Sequence, residues 1–244
     1  MRSMTKLITI ALALAVGLSG NVRADDMGGA ESITVNPSRL STSDLDSRIA
    51  FIEERLDASR KHAYYWQWGW MGAYSTGLVL QSVRAGISED NEHQADYVVS
   101  AVKAAGGVAR MYFMPHPVRN GADPIREMGG SSREAKARKL AKAEELLLES
   151  ARFSDRRWSE KAHLANVLVN VAGGAIIWGL GAPSDALSST LVGIAVGTAN
   201  ILSAPGAGSK DLDDYKSRFG MGTAKRWDWK VVPTMGGAAV HVTF

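Results

Sequence analysis

Carboxylate and imidazole side chains are the residues of this sequence best suited to chemistry, and several cluster in one short segment. The cluster comprises Glu89, Asp90, Glu92, His93 and Asp96. Carboxylate oxygens and an imidazole nitrogen are ligands for zinc and for hard cations. A solvated turn, in which acidic residues stabilise the start of a helix, explains the same residues without a ligand. We keep this simpler interpretation and predict no metal and no cofactor.

A single histidine between two prolines is the other candidate for catalysis. His116 lies between Pro115 and Pro117 and close to Asp123 in the sequence, which suits a general base. No nucleophile or oxyanion donor accompanies it, and the sequence contains neither a cysteine nor a P-loop motif. The sequence therefore predicts a protein that is not an enzyme. A hydrolase that uses His116 or the acidic cluster is the alternative.

The longest apolar stretch, residues 164–209, has Asp185 as its only charged residue. It predicts two glycine-rich apolar helices that turn near Pro183. Each helix approaches the roughly 20 apolar residues that a bilayer requires, but each also contains Asn, Ser or Thr. We expect this hairpin to associate with a membrane, and a buried soluble bundle is the alternative.

Small residues recur at helical spacing in two apolar helices. Gly193 and Gly197 form a GxxxG pair, and Gly69, Ala73 and Gly77 form a second ladder. Small residues let helix backbones approach closely in apolar surroundings. In water each glycine would cost about 1 kcal/mol relative to alanine, so packing must compensate for it. The pattern predicts helix-packing sites at these five positions.

Six aromatic residues crowd the start of the uncharged segment 63–83. They are Tyr64, Tyr65, Trp66, Trp68, Trp70 and Tyr74. Together they occupy all faces of a helix, whereas a core helix would bury such residues on one stripe. A membrane-interface belt is the favoured interpretation, and a bundle core or a ligand-stacking surface is the alternative.

Three charged residues interrupt the apolar helix predicted over 94–114. Asp96, Lys103 and Arg110 are spaced by seven residues and so share one face. Lipid would not tolerate such a face, because a charge within a membrane needs a partner. The other apolar helices offer few partners, so we expect a homo-oligomer with this stripe at a subunit contact or a lumen. A monomer whose stripe faces the periplasm is the alternative.

The first 24 residues have the pattern of a signal peptide. Arg2 and Lys6 precede an apolar run over 7–18, and Ala24 ends a small-residue cleavage site. An uncleaved anchor is the alternative, although the apolar run is short for one. The full chain has a net charge of +3, and residues 1–24 contain three basic and no acidic residues, so the mature chain is neutral. We therefore predict export and no nucleic-acid partner.

The rest of the chain divides into two similar units. Each has a charged amphipathic helix, an apolar glycine-containing helix, a polar turn and a second apolar helix closed by proline. Segments 100–115 and 190–205 align without a gap, although two Ala/Gly-rich helices can match by coincidence. In the second unit no breaker separates the amphipathic helix from the hairpin, which predicts one continuous helix of about 50 residues.

The segment boundaries follow from these patterns and from composition. They are 25–42 for a flexible leader, 43–117 for the first unit, 118–131 for a Pro/Gly loop, 132–206 for the second unit, 207–226 for a polar linker and 227–244 for a C-terminal β-hairpin.

These patterns together predict a mainly α-helical fold of two related units, each a long amphipathic helix plus a Gly-rich apolar helical hairpin, followed by a short C-terminal β-hairpin. The predicted function is structural or interactive, in an exported protein of the bacterial envelope that associates with the inner or the outer membrane. The alternative is a soluble periplasmic bundle that binds a small apolar ligand between its glycine-rich helices.

Overall fold

The computed structural model describes residues 40–180, 182–220, 228–234 and 237–243. Helices dominate this part of the chain, which confirms the mainly α-helical prediction. The predicted signal peptide, and the predicted leader up to residue 39, lie outside the described residues.

The described chain contains seven helices and two strands. The helices are α1 (Thr42–Ile87), α2 (Asn91–Phe113), α3 (Asp123–Arg126), α4 (Arg133–Trp158), α5 (Glu160–Gly179), α6 (Pro183–Leu202) and α7 (Gly208–Arg218). The strands are β1 (Asp228–Thr234) and β2 (Gly237–Thr243). They pair in antiparallel fashion, with Val231 opposite Val240.

Helix α1 contains 46 residues, which corresponds to about 69 Å at 1.5 Å per residue. Ser41 caps its start, since the serine hydroxyl accepts a hydrogen bond from the Asp44 backbone N–H at 3.1 Å. The Asp44 carboxylate in turn accepts one from the Ser41 backbone N–H at 3.1 Å, which completes a capping box. The helix continues without a break through Ala63, where the sequence changes from charged to apolar. One helix therefore joins a polar half of the molecule to an apolar half.

The prediction of one continuous helix in the second unit is wrong, because the helix breaks at Ser159. Ser159 has an extended backbone (φ −70°, ψ 152°) and caps both the end of α4 and the start of α5. Its hydroxyl accepts a hydrogen bond from the Ala162 N–H at 3.3 Å and donates one to the Arg156 carbonyl at 2.8 Å. Serine competes in this way for backbone groups that a helix would otherwise pair. The second arm therefore consists of two helices, of 26 and 20 residues.

A hydrophobic core fills one end of the molecule, which we call the base. The base comprises residues 40–63, which include the first part of α1, the segment 114–126, which includes α3, and the helices α4 and α7. Its buried apolar side chains include Leu45, Ile52, Leu56, Leu140 and Leu147. Most charged residues of α1 and α4 face outwards around this core, as their amphipathic pattern predicts, whereas Arg48, Glu144 and Arg157 are buried.

Two segments predicted to be irregular belong to the base, so their assignment as loop and linker is corrected. The loop 118–131 contains α3 and buries Val118, Ala122 and Ile125 in the core. The polar linker 207–226 contains α7, whose Leu212 and Tyr215 are also buried there. Each segment has only two or three buried apolar side chains, too few for a hydrophobic helical period to be visible in the sequence.

A buried polar network fixes α7 against α1 and α4. The Tyr215 hydroxyl donates a hydrogen bond to Glu144 Oε1 at 2.5 Å and accepts one from Arg48 Nη1 at 3.3 Å. Arg48 Nη2 also donates to the Phe219 carbonyl at 3.3 Å. Burial raises the pKa of Glu144, and the hydrogen bond from Tyr215 opposes that rise. Because unpaired buried polar groups are costly, the network holds these three helices in one arrangement.

Four helix segments form the other end of the molecule, which we call the bundle. The bundle comprises residues 64–87 of α1 together with α2, α5 and α6. Helix α1 pairs with α2 and α5 pairs with α6, each pair joined by a short connection, and α2 touches both helices of the second hairpin. Val99 of α2 packs there against Ile177, Ala182 and Ala186.

Candidate functional site

The outer surface of the bundle is apolar. Every exposed large hydrophobic side chain among the described residues lies between 64 and 87, between 112 and 114 or between 158 and 202. Ile87, Trp178, Leu187 and Val192 expose between 62% and 74% of their surface. Soluble monomers rarely expose contiguous apolar surface on this scale, and larger patches mark contact with a partner or a membrane.

The interior of the α5–α6 hairpin, by contrast, is polar. Asn166 Nδ2 donates to the Ile194 carbonyl at 3.0 Å and to Thr198 Oγ1 at 3.2 Å. Asn170 Nδ2 donates to the Asn166 carbonyl at 2.9 Å, and Thr190 Oγ1 donates to the Asn170 carbonyl at 3.3 Å. The α5–α6 hairpin thus has polar groups at its inner contact and apolar groups on its outer surface, the reverse of the usual arrangement in water.

Two glycines of α6 make room for the asparagines of α5. A Cβ atom at Gly193 would overlap the Asn170 side chain, and one at Gly197 would overlap the Asn166 side chain. A side chain at either glycine would therefore displace an asparagine and break its hydrogen bonds. The structure places these predicted packing positions at the closest contacts between α5 and α6.

The second predicted ladder, at Gly69, Ala73 and Gly77, requires correction. A Cβ atom at Gly69 would meet nothing within 4 Å, and one at Gly77 would lie at an ordinary contact distance of 3.8 Å from Ala104 Cβ. The tight approach between α1 and α2 occurs elsewhere, where a Cβ atom at Gly107 would lie 2.6 Å from the Tyr74 ring. Spacing alone showed that small residues share a face but not which face meets the neighbouring helix.

The six aromatic residues of α1 separate into two groups, which corrects their assignment to a single interface belt. Trp66 is buried, and its Nε1 donates to the Asn200 carbonyl at 3.1 Å. Trp70 Nε1 donates to Ser203 Oγ at 2.9 Å, and the ring of Tyr74 lies 5.5 Å from that of Trp70. These three aromatics join α1 to α2 and α6 because one face of the helix is covered by its neighbours.

The other aromatics of α1 are exposed beside further aromatics from neighbouring helices. We call this group the aromatic belt: Tyr64, Tyr65, Trp68, Tyr112, Phe113 and Trp158. The belt lies where the bundle meets the base, since buried Trp66 contacts Met111, Phe153 and Ala204 at the same level. Rings exposed at one level of an apolar bundle suit the interface between lipid and water.

Two residues of the charged stripe of α2 have hydrogen-bond partners within the same chain. Lys103 Nζ donates to Ser189 Oγ at 3.1 Å in α6, and Ser100 Oγ donates to Asp96 Oδ1 at 3.2 Å. Arg110 is exposed near the base. Lys103 therefore finds in Ser189 of its own chain the partner that the prediction assigned to a second copy, while self-association through the stripe stays a prediction.

The acidic cluster lies at the far end of the bundle, which we call the tip. His93 Nδ1 lies 2.6 Å from Asp185 Oδ2 and so links the two hairpins, while Asp90 Oδ2 lies 3.7 Å from the same ring. Among the described residues, no group of three or more histidine or acidic side chains is arranged to hold a metal ion.

His116 is buried in the junction between base and bundle, where its ring packs against Trp66 and Phe153. Its Nδ1 accepts a hydrogen bond from the Val118 N–H at 3.2 Å. Burial lowers the pKa of His116 to about 4, with a smaller contribution from His62. The ring is therefore neutral at physiological pH and has only 2% of its surface in contact with solvent.

A shallow groove lies beside α1. It has a volume of about 340 Å³, is open to solvent and is lined by His62, Tyr65, Trp66, Gly69, Trp70, Ala73 and Ser203. It differs from the predicted ligand site between the glycine-rich helices, because asparagine, threonine and lysine side chains occupy that region.

Helices α5 and α6 are, within the described residues, the two that are long and apolar enough to cross a membrane by length and composition. The mean hydropathy of each candidate span is 1.3, and 22% of each span is buried inside the protein. A core helix of a soluble protein of the same composition would be mostly buried.

Comparison of the chain with protein-family models, with curated proteins and with solved structures finds no match.

Proposed function

We propose that this is an exported protein of the bacterial envelope whose bundle lies in a membrane, and whose role is structural or interactive rather than catalytic. The observation that supports this most strongly is the reversed polarity of the α5–α6 hairpin, which is apolar outside and polar inside. In a membrane the outer side chains contact lipid, and the asparagines and threonines within are shielded from it.

The dimensions of the bundle support the same proposal. Helices α5 and α6 have 20 residues each, which gives about 30 Å, the thickness of the hydrocarbon core of a bilayer. The aromatic belt lies at one end of this length, and the charged tip lies at the other. Helices in lipid commonly pack through small residues and through hydrogen bonds of polar side chains, and the contacts of Gly193 and Gly197 with asparagines of α5 are of this kind.

Cell fractionation tests the proposal directly. We expect the protein to sediment with membranes, to resist extraction by high salt and to be released by detergent. Leu191 exposes 59% of its surface on α6, so Leu191→Lys should reduce recovery with membranes, because lysine at a helix centre opposes insertion by about 3 kcal/mol. Glu145→Lys, an exposed change in the base, is the control and should have no effect. Recovery of the wild-type protein in a soluble extract without detergent would exclude membrane embedding.

The groove beside α1 is the observation that favours the alternative, a soluble periplasmic bundle that binds a small apolar ligand. Its lining is largely aromatic, as expected for such a site. The fractionation experiment separates the two proposals, because a soluble binding protein is recovered without detergent.

Two related units are a further proposal, and the arrangement of helices supports it. The first half has an arm of 46 residues and a return helix of 23, and the second has an arm of 26 and 20 residues and a return helix of 20. Gly107 and Gly197, which align in the two halves, each lie beneath a side chain of the preceding arm, Tyr74 and Asn166 respectively. We also propose that the C-terminal β-hairpin is a folded part of the protein that follows these two units.

Self-association remains a proposal as well, although Lys103 of the charged stripe has its partner within the same chain. Light scattering of the detergent-extracted protein tests it: a mass above that of one chain supports a homo-oligomer, and a monomeric mass at micromolar concentration contradicts it. Lys103→Glu should disturb the fold of the monomer, because Lys103 bonds to Ser189 of its own chain.

A further inference from the structure

We propose that a ring of exposed basic side chains at the base end of the bundle binds the headgroups of anionic phospholipids. We call this ring the collar: Lys61, Arg110, Arg156 and Lys161. The inference rests on the membrane function proposed above and adds the chemistry of the lipid and the face of the membrane that holds it.

The collar residues come from different helices but lie at one level. Lys61 precedes His62, whose Nε2 lies 2.9 Å from the Ser203 carbonyl at the end of α6. Arg110 precedes Met111, which packs against Trp66 together with Ala204. Lys61 and Arg110 are thus brought to one level by the contacts that join α1, α2 and α6 at the junction with the base.

The junction between α4 and α5 completes the collar. Arg156 and Lys161 flank Trp158, a member of the aromatic belt, and the indole nitrogen of Trp158 lies close to Gly206 just after α6. The collar and the aromatic belt therefore occupy the same level of the molecule. Aromatic rings and basic side chains together are the usual anchors of a protein at the lipid headgroups.

The four collar side chains are exposed and form no ion pair with the described residues. Two acidic residues lie at the same level: Asp155 accepts a hydrogen bond from Ser209 at 2.6 Å, and Glu160 stands in the first turn of α5. An excess of positive charge therefore remains at the collar.

The tip has the opposite charge. Its exposed or partly exposed acidic residues are Glu89, Asp90 and Asp185, and Arg84 is the basic residue nearest to them in the sequence. Between tip and collar the described bundle contains Lys103, which is bonded internally. The chain that remains after the predicted cleavage is neutral overall, yet its positive charge is concentrated at the level of the collar. Solubility alone does not require such a concentration.

Lipid phosphate is the anion that this arrangement favours. A soluble anion would need only the basic side chains, whereas a phospholipid also contacts the aromatic belt and the apolar surface directly beyond it. Each basic side chain near an anionic surface contributes about fivefold to membrane partitioning, and salt weakens this contribution.

Vesicle flotation of the purified full chain, diluted from detergent, tests the inference. One set of vesicles contains phosphatidylcholine alone, and the other contains phosphatidylcholine mixed with phosphatidylglycerol. We expect the mixed vesicles to retain more protein, and we expect the difference to shrink at high salt.

A charge variant and a matched control sharpen the test. In K61Q/R156Q/K161Q, partitioning into the mixed vesicles should fall roughly a hundredfold, while partitioning into neutral vesicles stays unchanged. The control R138Q/K139Q/K216Q removes the same charge from the base, away from the collar, and should change neither value by more than about threefold. Circular dichroism confirms that both variants keep the helical fold.

The possible failures are distinguishable. Absence of wild-type flotation on either kind of vesicle contradicts the membrane function itself. Equal flotation on both kinds, or equal losses in the collar and control variants, overturns the collar inference and leaves the membrane function in place. Full competition by inorganic phosphate also overturns it, because the site would then belong to a soluble anion.

Discussion

Replacement of Gly193 by alanine tests the packing of the α5–α6 hairpin most directly. The new Cβ atom would overlap the Asn170 side chain, which is 94% buried and holds a hydrogen bond of 2.9 Å to the Asn166 carbonyl. Asn170 must therefore move, or the two helices must separate.

The magnitude follows from three contributions. Overpacking of a tight contact costs about 1 to 3 kcal/mol, and loss of the buried hydrogen bond costs about 1 kcal/mol. Alanine regains about 1 kcal/mol relative to glycine within a helix. We therefore expect Gly193→Ala to lower the free energy of unfolding by about 1 to 3 kcal/mol.

The same substitution at Gly69 is the matched control. A Cβ atom at Gly69 would meet nothing within 4 Å, so only the helix-propensity gain applies. Gly69→Ala should be neutral or stabilising by up to about 1 kcal/mol. The two Gly→Ala substitutions should therefore change the free energy of unfolding differently: Gly193→Ala should lower it, and Gly69→Ala should not. A general effect of added volume in an apolar helix would lower it in both.

A double-mutant cycle identifies the contact responsible. In the background of Asn170→Ala the overlapping side chain is absent, so Gly193→Ala should no longer destabilise the protein, which gives a coupling energy of at least about 1 kcal/mol. Unfolding in mild detergent, followed by circular dichroism, gives the free energy of unfolding of the wild type, the two single variants and the double variant. If Gly193→Ala proves as stable as Gly69→Ala, or if its cost persists without Asn170, the proposed packing is wrong.

Three further predictions concern the base, the junction and the N-terminus. The free energy of unfolding should fall by up to about 3 kcal/mol as the pH drops from 6.5 to about 4, because His116 takes up a proton in the unfolded chain before it does so in the folded chain. His116→Gln should remove this pH dependence, and an unchanged pH profile in the variant would contradict the prediction. Tyr215→Phe leaves buried Glu144 without its donor and should cost about 1 to 3 kcal/mol in the same unfolding assay, whereas Tyr112→Phe, at an exposed ring, should cost nothing. Intact-mass measurement of the exported protein should show Asp25 as its first residue, and a retained Met1 would refute cleavage.

The sequence by itself determined the helical character of the chain and the change from a polar to an apolar half. Amphipathic spacing, serine caps and proline are local signals, so they show where helices begin, end and change composition. The GxxxG pair at Gly193 and Gly197 was also visible, because small residues four apart always share a helix face. For the same reason, spacing within the sequence predicted an apolar hairpin and a charged stripe but not the helices that lie beside them.

Only the tertiary structure decided which side chains meet. Trp66 is buried against Asn200, and Lys103 bonds to Ser189, although 134 and 86 residues separate these pairs in the sequence. Spacing within one helix carries no information about the rotation of its neighbour, and that rotation determines which aromatic is covered and which charge finds a partner. The reversal of polarity in the α5–α6 hairpin is likewise a property of packing, because the same glycines, asparagines and leucines in the sequence suit either a soluble core or a surface that faces lipid.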